Sequence, residues 1–371
     1  MRRDFRVPGS RPSSLDAPEA RPGSFGRTIA YILLAFAGLA VGLVIYIFIL
    51  LGQPLRTSID IVDADSVEVI SLDDIQLTED SGDSMPWDQG GRTRVYVHDG
   101  FPIKKVKQKD PDVETILVFG VDSRKASDVV CRADTIILVT INKTAGSIKL
   151  TSILRDTQVE ISGRSKPNRI NAAYAFGGVG LLINTLNETF GLDIQRFAMF
   201  DFWSAASLID SLGGVELNVS KAEMPYLNLN LNEQNKLVPN ATQSPQVTEP
   251  GLQMLNGQQA IAWARIRKLD SDYMRASRQR TVMTALIGKY ADSSVAGLIS
   301  LTSSGLSAFE TNMTSSDMLR IGISSLPLAK KLEDYRVPED GMFTINTDPW
   351  VMIVDLKQQV PALHDFIWSK P

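Results

Sequence analysis

Cysteine and histidine are nearly absent from this chain. One cysteine, Cys131, among 371 residues excludes an intramolecular disulfide and a Cys-rich zinc site. Two histidines, His98 and His364, argue against a Ser-His-Asp hydrolase, a Cys-His protease and a His-based metal centre. No GxxxxGK(S/T) loop occurs, so a P-loop nucleotide site is excluded. A strong net charge is lacking too: the balance of -4 gives no reason to expect a polyanionic partner for the whole molecule. A hydrophobic fraction of 44% and a charged fraction of 22% exclude a wholly disordered chain. If the protein is an enzyme, its polar chemistry has to come from carboxylates, arginines and a hard metal.

The charges that are present are unevenly spread. Residues 1–28 hold six arginines, three acids and four prolines, and read as a basic disordered arm. Residues 29–51 then run for 23 positions without a charge or a polar face. As a helix they would rise roughly 34 Å, enough to span a hydrocarbon core of about 30 Å. Residues 53–90 carry ten acids and one arginine, Arg56. Arginine before the span and acid after it predict a single-pass signal anchor with a cytoplasmic N-terminus and the rest of the chain outside. The apolar run exceeds the h-region of a cleaved signal peptide. Residues 52–112 read as an acidic extracytoplasmic stalk with one or two accessory strands, and 113–369 as the main domain.

Within that domain, the segment 115–156 carries the first clue to chemistry. Thr115–Val121 is an apolar run that ends at Asp122. Thr135–Ile141 is β-branched and follows Arg132 and Asp134, and Ser147–Leu154 ends at Arg155-Asp156. Short connections predict an antiparallel meander. The end of the first strand, the start of the second and the end of the third then share one sheet edge. Asp122, Arg124, Arg132, Asp134, Arg155 and Asp156 gather there. Helices are predicted over Gly178–Phe190 and Phe202–Leu212, a strand over Val215–Val219, and an Asn- and Pro-rich loop over 221–250. The alternation predicts an α/β fold with helices on both faces of a mixed sheet.

A second clue lies between Ala264 and Tyr290. With Asp272 taken as the cap of a helix, Arg275 and Gln279 fall on the apolar stripe with Val282 and Leu286, while Arg280 points away. A core-facing guanidinium needs a partner, either a carboxylate or an anion. Arg265 and Arg267 are two apart and, if extended, share a face with Trp263. Arginine forks match phosphate oxygens, and paired carboxylates hold a hard cation such as Mg²⁺. The combination suggests a phosphate or pyrophosphate substrate and phosphoryl transfer.

The motifs ILVFGVDSR, CRADTIILVTIN, SILRDTQVEI, RINAAYAFGG, DFWSAASLIDSLGGVEL, LNGQQAIAWARIR and DYMRASRQR occur in this order. The series resembles the LytR-CpsA-Psr family of bacterial cell-wall enzymes over residues 113–369. The resemblance implies a three-layer α-β-α fold around a central mixed, largely antiparallel sheet, preceded by one transmembrane helix in the bacterial cell membrane. It implies transfer of a glycopolymer from a polyprenyl-pyrophosphate carrier to peptidoglycan as a phosphodiester, with Mg²⁺ (or Mn²⁺) as cofactor. By position, Asp122 and Asp134 match metal ligands. Arg155, Arg265, Arg267, Asp272 and Arg275 match catalytic positions. Arg124, Arg155, Arg169, Asn171, Arg265, Arg267, Arg275 and Gln279 match pyrophosphate-binding positions. The expected partners are the lipid-linked glycopolymer, peptidoglycan and the bilayer, and no nucleic acid. Cys131 stands where a small or polar residue is expected, and reads as an inert thiol.

With histidine scarce, Asp134 or Asp272 is the natural general base. Hydrolysis at the same site, with water as acceptor, fits the same residues. A non-enzymatic membrane regulator that binds the lipid carrier would be favoured by lost metal ligands, but both aspartates are present. The arm lacks a helix-turn-helix pattern, which weakens a direct role on DNA.

Overall fold

A computed structural model describes residues 55–56, 59–63, 72, 101–121, 132–238, 242–292 and 309–370. The arm and the charge-free run 29–51 lie outside the described residues, as do Asp122, Arg124 and Cys131. Among the described residues no helix is long and apolar enough to cross a membrane.

The central sheet contains β1 (Leu55–Arg56), β2 (Val113–Val121), β3 (Ala133–Asn142), β4 (Ser147–Ile153), β5 (Arg196–Phe200), β6 (Glu310–Thr311) and β7 (Leu332–Val337). Their order across the sheet is β1-β6-β5-β2-β3-β4-β7. The predicted meander is present: β2–β3 and β3–β4 are antiparallel. The sheet is not largely antiparallel, however. β5–β6 is antiparallel, but β1–β6, β2–β5 and β4–β7 are parallel. The short turn 143–146 joins β3 to β4. The flanking strands arrive through long connections, which permit parallel pairing.

The helices are α1 (Ala172–Phe190), α2 (Phe202–Ser211), α3 (Met224–Asn235), α4 (Gly257–Ala264), α5 (Asp272–Asp292), α6 (Ser315–Ser325) and α7 (Leu356–Trp368). Leu117, Phe119, Ile136 and Leu138 of the sheet pack with Phe176, Leu186 and Leu363 of α1 and α7. Val139, Ile148 and Leu150 pack with Met283 and Ile287 of α5. Helices thus cover both faces, which is why β2 to β4 read as nearly continuous apolar runs.

Helix α1 starts at Ala172, six residues before the predicted start, and bends at Gly177–Gly178, where Gly178 has φ 67°. The bend admits an upstream segment. Phe101 donates its amide to Gly177 O at 3.1 Å, and Asn184 bonds to the backbone of both Pro102 and Lys104. Phe101 and Ile103 belong to the main core, as does Leu72. Parts of the 52–112 stretch are therefore packed into the domain, among them the short parallel pair Ile61–Asp63 and Ile103–Lys105. A Cβ on Gly180 would lie 1.6 Å from Phe101 O, so only glycine permits this approach.

The 221–250 segment is not a plain loop. Its helix α3 buries Leu227 and Leu231 in a second core with Ile209, Leu217, Trp263 and Val282. The asparagines that suggested a loop pin the returning chain instead. Asn228 exchanges two hydrogen bonds with the backbone of Val247, Asn235 does the same with Ser244, and Asn230 donates to Ala262 O. Weak helix propensity is overridden by these contacts. Val215–Val219 is a strand, but pairs with Gly251–Leu255 in a separate ribbon.

Helix α5 corrects the wheel drawn from sequence. It begins at Asp272, so this residue is its first turn and not its cap. Arg280 does not point into solvent: its Nε lies 3.3 Å from Asp334 Oδ2, with the side chain 13% exposed. Arg278 is 3% exposed, and its guanidinium bonds to Glu223, Asp270 and the carbonyl of Ile266. The helix packs between two cores, so a single apolar stripe does not describe it.

Gly180→Ala should lower stability by at least about 2 kcal/mol through overpacking. Gly288→Ala, whose added Cβ would meet nothing within 4 Å, should raise it by roughly 0.5–1 kcal/mol. Thermal unfolding followed by circular dichroism compares the two. In the same assay Arg278→Leu should cost about 3 kcal/mol, because two partly buried carboxylates lose their cation.

Candidate active site

Of the predicted sheet edge, Asp134, Arg155 and Asp156 come together, and a register irregularity builds this part. Gly120 pairs with Thr135, but Val121 pairs with Ala133. Asp134 is the extra residue of a β-bulge. Such a bulge turns a side chain out of the regular ladder. The carboxylate so displaced meets two arginines from elsewhere in the chain. Arg155, just after β4, places Nη1 2.9 Å from Asp134 Oδ1, and Arg267 places Nη2 2.5 Å from Oδ2. Burial pushes the Asp134 carboxyl up, but Arg155, Arg267 and Arg275 more than offset this and hold it below the usual carboxylate range.

A second carboxylate continues the row. Asp156 accepts Arg155 Nε at 3.3 Å and faces Arg169 Nε at 3.4 Å. Arg169 also donates to Trp350 O at 3.0 Å. Asn171 lies behind this row. Its amide donates to Arg155 O and its carbonyl accepts from Ala133, so its backbone braces both site strands. His364 is remote in the fold, with its ring between Phe190 O and Trp368.

Arg265 and Arg267 do not form an extended pair with Trp263. Trp263 is inside α4, and Arg265 is the residue that closes this helix. The chain then turns, which sends the two guanidinium groups to different places. Arg265 stacks 4.1 Å from the Phe202 ring, while Arg267 reaches Asp134. Arg278 holds the turn through Ile266 O, the carbonyl between the two arginines. Arg275 is 4% exposed, and Gln279 follows it one turn later.

Two cavities meet at this point and share Asp134, Thr135, Arg275 and Gln279. One, of about 160 Å³, lies toward Arg155, Asp156, Tyr273, Trp350 and Met352. The other, of about 210 Å³, is lined by Arg265, Arg267 and Lys268, with Phe202, Tyr226 and Glu233 opposite. Of the predicted residues, Asp134, Arg155, Arg265, Arg267, Arg275 and Gln279 converge on these walls. Tyr226, Lys268, Tyr273 and Trp350 escaped the sequence reading, because nothing local marks an aromatic or a lysine as a cavity wall.

The residues present were tested against a divalent cation. Among the described residues no group of three or more His, Cys, Asp or Glu side chains could hold one. Asp134 has both oxygens bonded to arginine, but an ionised carboxylate has about four lone-pair sites, so capacity remains. A hard oxygen donor of this kind suits Mg²⁺, provided that Asp122 supplies a second.

Comparison with known proteins gives the family and the fold. The LytR_cpsA_psr family matches residues 90–361. The polyisoprenyl-teichoic acid–peptidoglycan teichoic acid transferase TagU of Bacillus anthracis is 31% identical over 241 residues, 64% of this chain and 72% of the relative. TagU of Bacillus licheniformis is 29% identical over 265 residues, 69% of this chain and 79% of the relative. Among solved structures, TagT bound to LIIa-WTA has a TM-score of 0.57 at 23% identity, covering 71% of this chain and 94% of that one. YwtF (TagT) with bound octaprenyl pyrophosphate lipid has a TM-score of 0.52 at 21% identity, with the same coverage. The structural likeness shows a shared α/β fold around a mixed central sheet. Because the sequence match spans most of the chain, the protein belongs to the LytR-CpsA-Psr family.

Proposed function

We propose that the chain moves a glycopolymer from a polyprenyl-pyrophosphate carrier onto peptidoglycan as a phosphodiester. It is an enzyme of the transferase type. The observation that carries the reading is the convergence of Arg155, Arg265, Arg267 and Arg275 on two cavities with one shared wall. A transferase has to hold donor and acceptor side by side, and the donor here is polyanionic. The names of TagU and the octaprenyl pyrophosphate bound to YwtF support the same substrate class. The charge-free run 29–51 would anchor the enzyme in the membrane where such a lipid resides, with the catalytic part outside.

The pyrophosphate would sit in the cavity of Arg265, Arg267 and Lys268. Arg267 is 47% exposed against 21% for Arg155, so it is the freer of the two to turn from Asp134 to a phosphate oxygen. Arg275 is buried on the wall that both cavities share. An acceptor hydroxyl oxygen would attack the sugar-linked phosphorus, the bond from that phosphorus to the bridging oxygen would break, and polyprenyl phosphate would leave. The arginines would spread the charge that builds on the phosphoryl oxygens and the leaving group. Asp134 is a poor proton acceptor while two arginines lower its basicity. Of the two candidate bases, Asp134 and Asp272, the second would then take the hydroxyl proton. Asp122 and Asp134 would hold Mg²⁺ (or Mn²⁺), whose charge would add to that of the arginines.

The test incubates the purified full chain with a lipid-linked glycan, Mg²⁺ and peptidoglycan oligomers. Wild type should give polymer-linked product, and Arg267→Ala should lower kcat/KM by roughly 100-fold. Equal product from wild type and Asp134→Ala would remove the metal role. Phosphate release at a rate indifferent to acceptor would replace transfer by hydrolysis.

A further inference from the structure

The cavity beside Trp350 is not accounted for by the pyrophosphate. It lies across the shared Asp134–Arg275–Gln279 wall from the more cationic cavity. Its outer side is formed by the ribbon Phe343–Thr347 and Trp350–Val354, which does not join the central sheet. The ribbon is nevertheless fastened to the site. Met352 donates its amide to Asp156 O at 2.9 Å, and Arg169 holds the carbonyl of Trp350. Trp350 keeps 38% of its surface exposed while lining the cavity. Tyr273, also in the lining, is steadied by Phe343 at 6.2 Å and by the Arg336 guanidinium at 4.4 Å. The Tyr273 ring and the Trp350 backbone are held in place, and the tryptophan side chain remains accessible.

The lining is two-sided. Trp350, Tyr273, Leu154 and Met352 are apolar, whereas Arg155 and Asp156 are charged. A volume of about 160 Å³ is close to that of a cavity that takes one benzene ring, about 150 Å³. That admits one six-membered ring and is too small for a polyprenyl chain. A sugar ring has this same division, with C–H faces suited to an aromatic platform and hydroxyls suited to Arg155, Asp156 and Gln279.

We propose that this cavity is the acceptor subsite, where one saccharide ring of peptidoglycan lies against Trp350 and presents its hydroxyl toward the shared wall. The inference rests on the transfer reading and assigns the second substrate to a place. Trp350 binds the acceptor and takes no part in the donor site.

Binding is measured first, without donor, by calorimetric titration of peptidoglycan oligomers into the full chain. Trp350→Ala should weaken the affinity about tenfold, and Trp350→Phe, which keeps an aromatic face, should restore most of it. Ile353→Ala, on the same ribbon and outside the cavity lining, should leave it unchanged. In the transfer assay Trp350→Ala should raise KM for the acceptor about tenfold and leave KM for the lipid-linked glycan within about twofold. An unchanged acceptor affinity in Trp350→Ala overturns the proposal. So does a rise confined to the donor KM, which would make the cavity part of the donor site. Intact saccharide binding through Trp350 in a protein that transfers nothing would instead count against the function and leave the subsite standing.

Discussion

Much of the site depends on one electrostatic arrangement, the Asp134 carboxylate between Arg155 and Arg267. Guanidinium groups brought together from separate segments repel one another, and Arg275 adds a buried third. A carboxylate at their centre makes the cluster tolerable before any substrate arrives. The same arrangement keeps Arg155 and Arg267 aimed at one place. Asp134 thus neutralises the arginine cluster, and the same arginines depress its proton affinity.

The two cores divide the labour around this cluster. The main sheet, covered by α1 and α7, fixes Asp134 and Arg155 at the ends of its central strands. The second core of α2, α3, α4 and the Val215–Val219 ribbon carries Arg265 and Arg267 in the turn after α4. Helix α5 contacts both and supplies Arg275. Arg278, on the same helix, ties the arginine turn to Asp270 and to Glu223 at the head of α3. One buried guanidinium therefore couples the position of three wall segments of the cavity lined by Arg265, Arg267 and Lys268.

The legible part of this arrangement was local. The meander, its charged edge and the inward direction of Arg275 followed from strand period and helical phase. The arginine pair was found, but its geometry was not, because the end of α4 at Ala264 depends on packing that sequence period does not report. Helix α3 was hidden by asparagines whose side chains bond to distant backbone. The buried state of Arg278 and Arg280 was hidden because α5 is enclosed on several sides. Parallel pairing of the flanking strands depends on long crossovers that leave no periodic trace. Trp350 was invisible for a different reason, since its relation to the site runs through a ribbon about 200 residues away in sequence from Asp134.

The bulge that frees Asp134 also constrains the length of the chain. Regular pairing from Val113 to Val121 would need one residue fewer in β3. A deletion there would yield a more regular ladder, and it would turn the acid at this edge back into the pleat. The variant would gain a regular ladder and lose the carboxylate from between Arg155 and Arg267. In this family member, activity is therefore vulnerable to a change of chain length at a place where sheet stability alone would welcome it. Selection on the fold and selection on the chemistry pull in opposite directions at a single residue.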